Sequence, residues 1–197
     1  MTIIGLTGLA GSGKSTVAKH LVSKHGFTIL SFAGPLKKMM RTLDPIVSYT
    51  LPFGGSEEEA ALKALRLSEV FRRYDGDELG VKKSGYGPEY RRLLQTLGTD
   101  CIRAISPNFW IDAAMSQMTD TNGRYVFDDV RFPNEAEVIL EANPAGLWNL
   151  QRPDQEIVGG EHISEKHAGH MNESAYIIND DLDRLYGRIE YHLSIHV

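Results

Sequence analysis

A glycine-rich stretch near the start of the chain constrains the fold more than any other feature of the sequence. Residues 8–15 read GLAGSGKS, which is a complete GxxxxGK[ST] pattern. The apolar residues 3–7 before it are typical of a short buried strand, and a helical pattern begins at Lys14. Glycines let backbone N–H groups turn toward an anion, and the following helix adds its positive dipole end. The strand, loop and helix together predict a phosphate-binding loop.

The residue types within this loop indicate a nucleoside triphosphate with a magnesium ion. Lys14 is expected to reach the β- and γ-phosphates, and the Ser15 hydroxyl to ligate Mg²⁺. The alternative is a chance glycine turn before a helix, which the full pattern and its position disfavour. The residues assigned to this nucleotide are Gly11, Ser12, Gly13, Lys14, Ser15 and Thr16.

Strand-like and helical stretches alternate along the chain. The predicted strands are residues 3–7, 27–32, 125–130, 147–151 and 175–178. The predicted helices include residues 57–74 with a capping box of Ser56 and Glu59, segments that begin at Pro88, Pro107 and Pro133, and residues 181–193. Residues 74–87 and 153–174, rich in glycine and charge, are interpreted as mobile loops. The alternation predicts an α/β fold in three layers, with helices on both faces of a mostly parallel sheet.

The composition excludes several classes of protein. A length of 197 residues suits one domain, and no apolar run is long enough to span a bilayer. The net charge of −5 disfavours a nucleic acid polymer as partner, so an anionic ligand needs local cations. The single cysteine, Cys101, has neither a disulfide nor a zinc partner, which suits a reducing compartment. We therefore expect a cytoplasmic protein with no membrane partner, and homodimer formation is left open.

A second candidate site follows the predicted strand at residues 125–130. Two carboxylates, Asp128 and Asp129, precede Arg131 at the end of this strand. Ligands of open α/β sheets bind at the carboxyl ends of the strands, so these side chains are expected to face the same crevice as the glycine loop. One aspartate could orient the magnesium shell or the attacking oxygen, and Arg131 could hold a phosphate. The alternative is a solvated strand end before a helix.

Polar residues recur every four positions in the predicted helix after Pro88. The polar stripe consists of Arg91, Gln95, Thr99 and Arg103, and a parallel apolar stripe consists of Leu93, Leu97 and Cys101. Guanidinium groups bind phosphates and amides pair with base edges, so the polar stripe could recognise a nucleotide. The exposed face of an amphipathic helix explains the spacing equally well.

Weaker candidates lie elsewhere. Lys37 and Lys38 begin a short helix after residues 32–35 and could meet an anion or face solvent. Arg152, beside the long loop, could close over a phosphate. His162, His167 and His170 lie within that loop, but no cysteine accompanies them and three glutamates surround them, so a wet, polar lid is favoured over a zinc site.

Taken in order, several short motifs resemble those of the deoxynucleoside monophosphate kinases of tailed bacteriophages, and the resemblance spans nearly the whole chain. Besides the glycine loop, the motifs are SFAGPLK at residues 31–37, LQTLGT at 94–99, DVRFPNE at 129–135, HISE at 162–165 and IND at 178–180. The resemblance implies a P-loop fold like that of nucleoside monophosphate kinases. It also implies transfer of the γ-phosphoryl of ATP to a deoxynucleoside monophosphate (dNMP), which gives ADP and a deoxynucleoside diphosphate.

The same resemblance implies roles for individual residues. Lys14 and Ser15 would bind ATP with Mg²⁺, Asn179 would lie near the adenine, and Arg152 would act from the lid. Asp129 would serve the magnesium ion, although the preceding Asp128 departs from the family pattern and leaves the choice between them open. The residues expected around the dNMP are Lys37, Arg91, Gln95, Thr99 and Arg131.

The resemblance further implies a single kinase domain over residues 1–197, with a substrate-binding helical insertion at about 35–118 and a lid-like loop at about 152–174. Two alternatives share the glycine loop. One is a kinase of dephospho-coenzyme A or another small metabolite, and the other is a switch that binds ATP without transferring phosphate. The base preference of the enzyme is not predicted.

Overall fold

The computed structural model describes residues 1–50, 63–153 and 171–196. Its contacts divide the chain into two compact units. The first consists of Met1–Ala33 and Ile111–Val197, and the second of Gly34–Trp110. The second unit falls within the segment predicted as a helical insertion, whereas most of the predicted lid lies outside the described residues. A single kinase domain stays a prediction.

A five-stranded parallel sheet forms the centre of the first unit. The strands are β1 (Thr2–Thr7), β2 (Thr28–Leu30), β5 (Arg124–Phe127), β6 (Leu147–Gln151) and β7 (Ala175–Ile178). Their order in the sheet is β2-β5-β1-β6-β7, and every pair is parallel. β1 therefore lies in the middle, and the glycine loop follows its carboxyl end. The predicted parallel α/β fold is confirmed.

Helices cover both faces of this sheet because the central strand buries side chains on both sides. Ile4 and Leu6 of β1 pack into one apolar cluster with α1 (Lys14–His25) and α8 (Leu182–His196). Ile3 packs into the opposite cluster with α7 (Pro133–Ala142) and the Ile111 end of α6 (Phe109–Met115). Alternate residues of a strand point to opposite faces, which explains this division.

The second unit combines short helices with a two-stranded sheet. Its elements are α2 (Gly34–Leu43), β3 (Ile46–Thr50), β4 (Lys63–Arg66), α3 (Leu67–Arg73), α4 (Glu78–Lys83), α5 (Gly87–Gln95) and a π-helical segment (Thr96–Arg103). β3 and β4 pair antiparallel. Leu65, Leu67, Val70 and Tyr90 are fully buried in its own apolar cluster. This unit thus has a core separate from that of the sheet.

The predicted helix over residues 57–74 is wrong at residues 63–66, which form β4. Pairing with β3 overrides the local helical pattern, and the helix begins only at Leu67. Its start is capped by Glu69, whose Oε2 accepts a hydrogen bond from the Arg66 amide at 3.1 Å. The predicted capping box of Ser56 and Glu59 lies outside the described residues.

Two further predictions are corrected in this unit. Residues 74–87, predicted as a mobile loop, contain α4, because the Asp77 carboxylate accepts hydrogen bonds from the amides of Leu79 and Gly80, both at 3.0 Å. Cys101, assigned to an apolar stripe, is exposed. It lies in the π-helical segment, whose wider turn breaks the four-residue spacing on which that assignment rested.

None of the described helices is both long enough and apolar enough to cross a membrane.

Candidate active site

The glycine loop adopts a backbone conformation that residues with a Cβ atom rarely adopt. Gly8, Gly11 and Gly13 have φ angles of 126°, 85° and 107°. A Cβ atom at Gly8 would lie 2.3 Å from the carbonyl oxygen of Leu150, and one at Gly13 would lie 2.3 Å from Nδ2 of Asn179. Positive φ and close approach both require glycine here. The sequence pattern therefore has a direct steric cause.

The loop leads straight into the first turn of α1. The carbonyl of Gly13 accepts hydrogen bonds from the amides of Thr16 and Val17, at 2.9 Å and 3.0 Å. Ser12 is buried, and its hydroxyl has no hydrogen-bond partner among the described residues. The positive end of a 12-residue helix thus adjoins the loop, as an anion site requires.

Lys14 folds back onto the loop. Its Nζ donates hydrogen bonds to the carbonyl oxygens of Gly8 and Leu9, at 2.7 Å and 2.8 Å. Burial and the positive charge of Arg131 lower the pKa of Lys14 to about 8, against the opposing effect of Asp128 and Asp129. An ammonium group binds a charged phosphate more strongly than it binds two neutral carbonyls. Lys14 therefore favours an anion at this site.

Asn179 holds the loop from the end of β7. Its Nδ2 donates to the carbonyl oxygen of Ser12 at 2.8 Å, and its backbone amide donates to the carbonyl of Gln151 at 2.7 Å. The resemblance places this residue near the adenine. In the structure its amide group contacts the backbone of the phosphate loop itself.

Asp129 ties the end of β5 to the segment that follows β2. Its Oδ1 accepts a hydrogen bond from the Phe32 amide at 2.9 Å. Its Oδ2 accepts two, from the Ser31 hydroxyl at 2.6 Å and the Ala33 amide at 3.0 Å. The carboxylate therefore already has three protein donors.

Glu135 is a site residue that the sequence reasoning missed. It is almost fully buried, and its Oε2 accepts hydrogen bonds from the amides of Arg131 and Phe132, at 2.8 Å and 3.1 Å. Glu135 is the third residue of α7, so the spacing Phe132–Glu135 around Pro133 was the available signal. The contact fixes the backbone of Arg131. The side chain of Arg131 is exposed, and so is the side chain of Arg152, which follows β6.

The second unit carries the other predicted cations. A cavity of about 450 Å³ is lined by Gly34, Lys37, Lys38, Arg41, Thr42 and Glu78. Glu78 Oε1 lies 3.2 Å from Lys37 Nζ and 2.6 Å from Lys82 Nζ. Burial alone would raise the pKa of Glu78, but the hydrogen bonds and charges of Lys82 and Lys37 hold it below its ordinary value. The cavity is therefore lined by three cations and one ionised carboxylate.

The predicted polar stripe lies in α5 and the π-helical segment. Arg91 is exposed and donates from Nη2 to the carbonyl oxygen of Lys82 at 3.1 Å. Gln95 and Thr99 are half-buried, so the stripe is not a uniformly solvated face. Trp110 supports the π-helical segment by donating from Nε1 to the Gly98 carbonyl at 2.9 Å.

Comparison with known proteins decides the family. The family model for deoxynucleotide monophosphate kinases matches residues 88–189. A protein of Acanthamoeba polyphaga mimivirus is 30% identical over 168 residues, which are 78% of this chain and 75% of that protein. This chain belongs to the deoxynucleotide monophosphate kinase family.

The name of the mimivirus protein and one solved structure complete the comparison. The mimivirus protein's own assignment as a deoxynucleotide monophosphate kinase is provisional. The crystal structure of TT1252 from Thermus thermophilus is similar over 98% of this chain and 96% of that one, with 17% identity and a TM-score of 0.45. Family membership, and with it a nucleotide kinase role that uses ATP, rests on the family model and the mimivirus sequence.

The oxygen donors beside Lys14 are of a kind that would fit a magnesium ion. Ser15 offers an exposed hydroxyl one residue along the chain, and the charges of Asp128 and Asp129 both act on Lys14. Hydroxyl and carboxylate oxygens are the ligands that Mg²⁺ prefers.

We expect this kinase to take up a proton through Lys14 when it binds ATP. Its pKa of about 8 in the free protein rises once a phosphate replaces the two carbonyls, so binding near pH 8 takes up about half a proton and binding near pH 6 takes up none. Calorimetric titration in two buffers of different ionisation enthalpy measures this uptake. Lys14→Met should abolish it, whereas Lys19→Met, in the exposed part of the same helix, should not. Uptake that survives in Lys14→Met would contradict the assignment.

We also expect Asp129 to stabilise the fold whether or not magnesium is present. In Asp129→Asn an amide N–H₂ replaces one acceptor oxygen, so the three donors at residues 31–33 cannot all be satisfied, and the free energy of unfolding should fall by about 1–3 kcal/mol. Urea denaturation without metal measures the loss. Ser31→Ala, combined with Asp129→Asn in a double-mutant cycle, should show coupling between the two side chains. Unchanged stability in Asp129→Asn would assign this residue to the ion alone.

Proposed function

We propose that this kinase transfers the γ-phosphoryl group of ATP to a dNMP and releases ADP and a deoxynucleoside diphosphate. The observation that carries the proposal is the glycine loop, with Lys14 hydrogen-bonded to the carbonyls of Gly8 and Leu9, in a member of the deoxynucleotide monophosphate kinase family. The curved backbone and the helix N-terminus supply the anion site, and Lys14 supplies a charge with a lowered pKa.

On the ATP side, the residues of the loop have separate tasks. The phosphates are surrounded by the backbone of Gly11, Ser12 and Gly13. Lys14 neutralises negative charge on the γ-phosphoryl group as it is transferred. Thr16 lies next along the chain, in the first turn of α1. Asn179 contributes by holding the carbonyl of Ser12 and thus the shape of the loop. When bound, Mg²⁺ would neutralise charge on the β- and γ-phosphates, held by Ser15 and by a carboxylate of the Asp128–Asp129 pair.

The three hydrogen bonds on Asp129 support a positioning role for this carboxylate. A carboxylate that already accepts three protein donors is suited to fixing the backbone of residues 31–33. We therefore assign Asp129 chiefly to positioning, and we leave open which carboxylate of the pair would serve the magnesium ion.

The reaction itself needs no general base. A phosphate oxygen of a dNMP is ionised at neutral pH, so it attacks phosphorus without losing a proton. Catalysis then comes from alignment and from charge that opposes the negative charge of the phosphoryl group. Arg131, fixed through its backbone by Glu135, and Arg152 supply that charge together with Lys14.

Acceptor binding falls mainly to the second unit. The cations Lys37, Lys38 and Arg41 line one cavity and suit a phosphate dianion. Arg91 supplies a second guanidinium, the half-buried amide of Gln95 can pair with a base edge, and Thr99 offers a hydroxyl one turn further along. Arg131, which belongs to the first unit, stays a predicted ligand of the acceptor phosphate.

A turnover panel tests the substrate. We expect ATP with Mg²⁺ to yield ADP and a diphosphate with at least one of the four dNMPs, and more slowly with ribonucleoside monophosphates or dephospho-coenzyme A.

Lys14→Ala should lower kcat at least 100-fold, since it removes charge at the transferred group, while Lys19→Ala should not. Arg91→Ala should raise KM for the dNMP more than KM for ATP, and Arg92→Ala, whose guanidinium pairs with Glu89, should change neither.

Two outcomes would overturn the proposal. Faster turnover of dephospho-coenzyme A than of every dNMP would indicate a small-metabolite kinase. Tight ATP binding without phosphoryl transfer to any acceptor would indicate a nucleotide-dependent switch.

A further inference from the structure

Three metal-ligand side chains meet in the first unit, in a place that phosphoryl transfer does not use. They are His20 and His25 of α1 and Glu190 of α8. The Nε2 atoms of His20 and His25 lie 2.9 Å and 2.8 Å from the same atom, Oε1 of Glu190. All three candidate ligand atoms lie within 4.8 Å of one another. Two imidazoles therefore converge on one carboxylate oxygen.

Packing fixes the orientation of the His20 side chain. The His20 ring is stacked on Tyr186, with ring centroids 4.3 Å apart and an interplanar angle of 13°. Tyr186 packs against the apolar cluster of the sheet and lies one turn before Glu190 in α8. The side chain of His20 is only 10% exposed. The cluster is thus built on two packed helices rather than on a surface loop.

The donor set suits a transition-metal ion better than magnesium. Two imidazole nitrogens and one carboxylate oxygen are ligands of Zn²⁺, Co²⁺ and Ni²⁺, whereas Mg²⁺ prefers oxygen alone. Metal–ligand bonds of about 2.0–2.1 Å place tetrahedral ligand atoms about 3.3 Å apart. The two distances to Glu190 Oε1 would therefore widen by about 0.4–0.5 Å, and the two imidazole nitrogens, which lie no more than 4.8 Å apart, would settle at the same spacing. The side chain of Glu190 is 50% exposed, which leaves room for a water molecule as fourth ligand.

Local electrostatics also favour a cation at this place. His25 is the last residue of α1, where the negative end of the helix dipole lies.

We propose that His20, His25 and Glu190 form a structural site for Zn²⁺ or a similar transition-metal ion. The bound ion joins the helix that follows the phosphate loop to the last helix of the chain. This site is independent of the proposed phosphoryl transfer.

Titration of the metal-free, nucleotide-free protein with Zn²⁺ tests the site. Isothermal calorimetry should show one ion per chain, and Co²⁺ should give the visible absorption of a tetrahedral complex. At a Zn²⁺ concentration about 100 times Kd, the melting temperature should rise by roughly 5 °C or more, since the ion binds only the folded state. MgCl₂ at the same concentration should not produce this shift.

Substitutions locate the ion. His25→Ala and Glu190→Gln change exposed or partly exposed side chains, so we expect both variants to fold, which circular dichroism checks. Each should weaken Zn²⁺ binding at least tenfold. The matched control replaces the other candidate histidines, His162, His167 and His170, by asparagine and should bind Zn²⁺ as tightly as the unmodified protein.

Three results would overturn the proposal. They are no Zn²⁺ binding by the unmodified protein, unchanged affinity in folded His25→Ala or Glu190→Gln, and loss of binding in the asparagine control. In the first case the three residues form a hydrogen-bonded cluster only. In the others the ion binds elsewhere on the chain.

Discussion

The curvature of the phosphate loop is the constraint on which the rest of the site depends. Gly8 and Gly13 have positive φ angles, and neighbouring atoms occupy the space that a side chain would need. Those neighbours are Leu150 of β6 and Asn179 after β7, so the two strands on one side of β1 set the shape of the loop. The loop is therefore a product of the parallel sheet as well as of its own sequence.

The strands on the other side of β1 position Asp129 and Arg131 in a similar way. Asp129 at the end of β5 binds the backbone of residues 32 and 33 after β2. Glu135 then holds the amide of Arg131 at the start of α7. Charged side chains near the phosphate loop are thus positioned by buried or half-buried carboxylates that bind backbone. Such contacts limit the rearrangement needed when the phosphates arrive.

Local patterns predicted those parts of the chain whose structure is decided locally. The strands at 147–151 and 175–178 were predicted to the residue, because their apolar runs are short and clearly bounded. The glycine loop was predictable because its steric requirement appears directly in the sequence. Residues 63–66 were not, since their strand exists only by pairing with β3 across a long sequence separation. Cys101 was misassigned because a π-helical segment carries no recognised spacing in the sequence.

The roles of individual polar residues were the hardest to predict. The expected position of Asn179 near the adenine stays a prediction, whereas its contact with the backbone of the loop could not be predicted, because only the fold brings two residues so far apart in sequence together. The convergence of His20, His25 and Glu190 has the same origin, because it depends on how α1 packs against α8.

In the proposed reaction the loop binds the β- and γ-phosphates of ATP, and Lys14 moves onto them. A crystal structure with a non-hydrolysable ATP analogue, Mg²⁺ and a dNMP tests it most directly. We expect the β- and γ-phosphates to lie within the curve of residues 8–15. Lys14 Nζ should lie within hydrogen-bond distance of their oxygens and should no longer be bound to the carbonyls of Gly8 and Leu9. Triphosphate bound elsewhere, or Lys14 still on those two carbonyls beside the bound analogue, would contradict it.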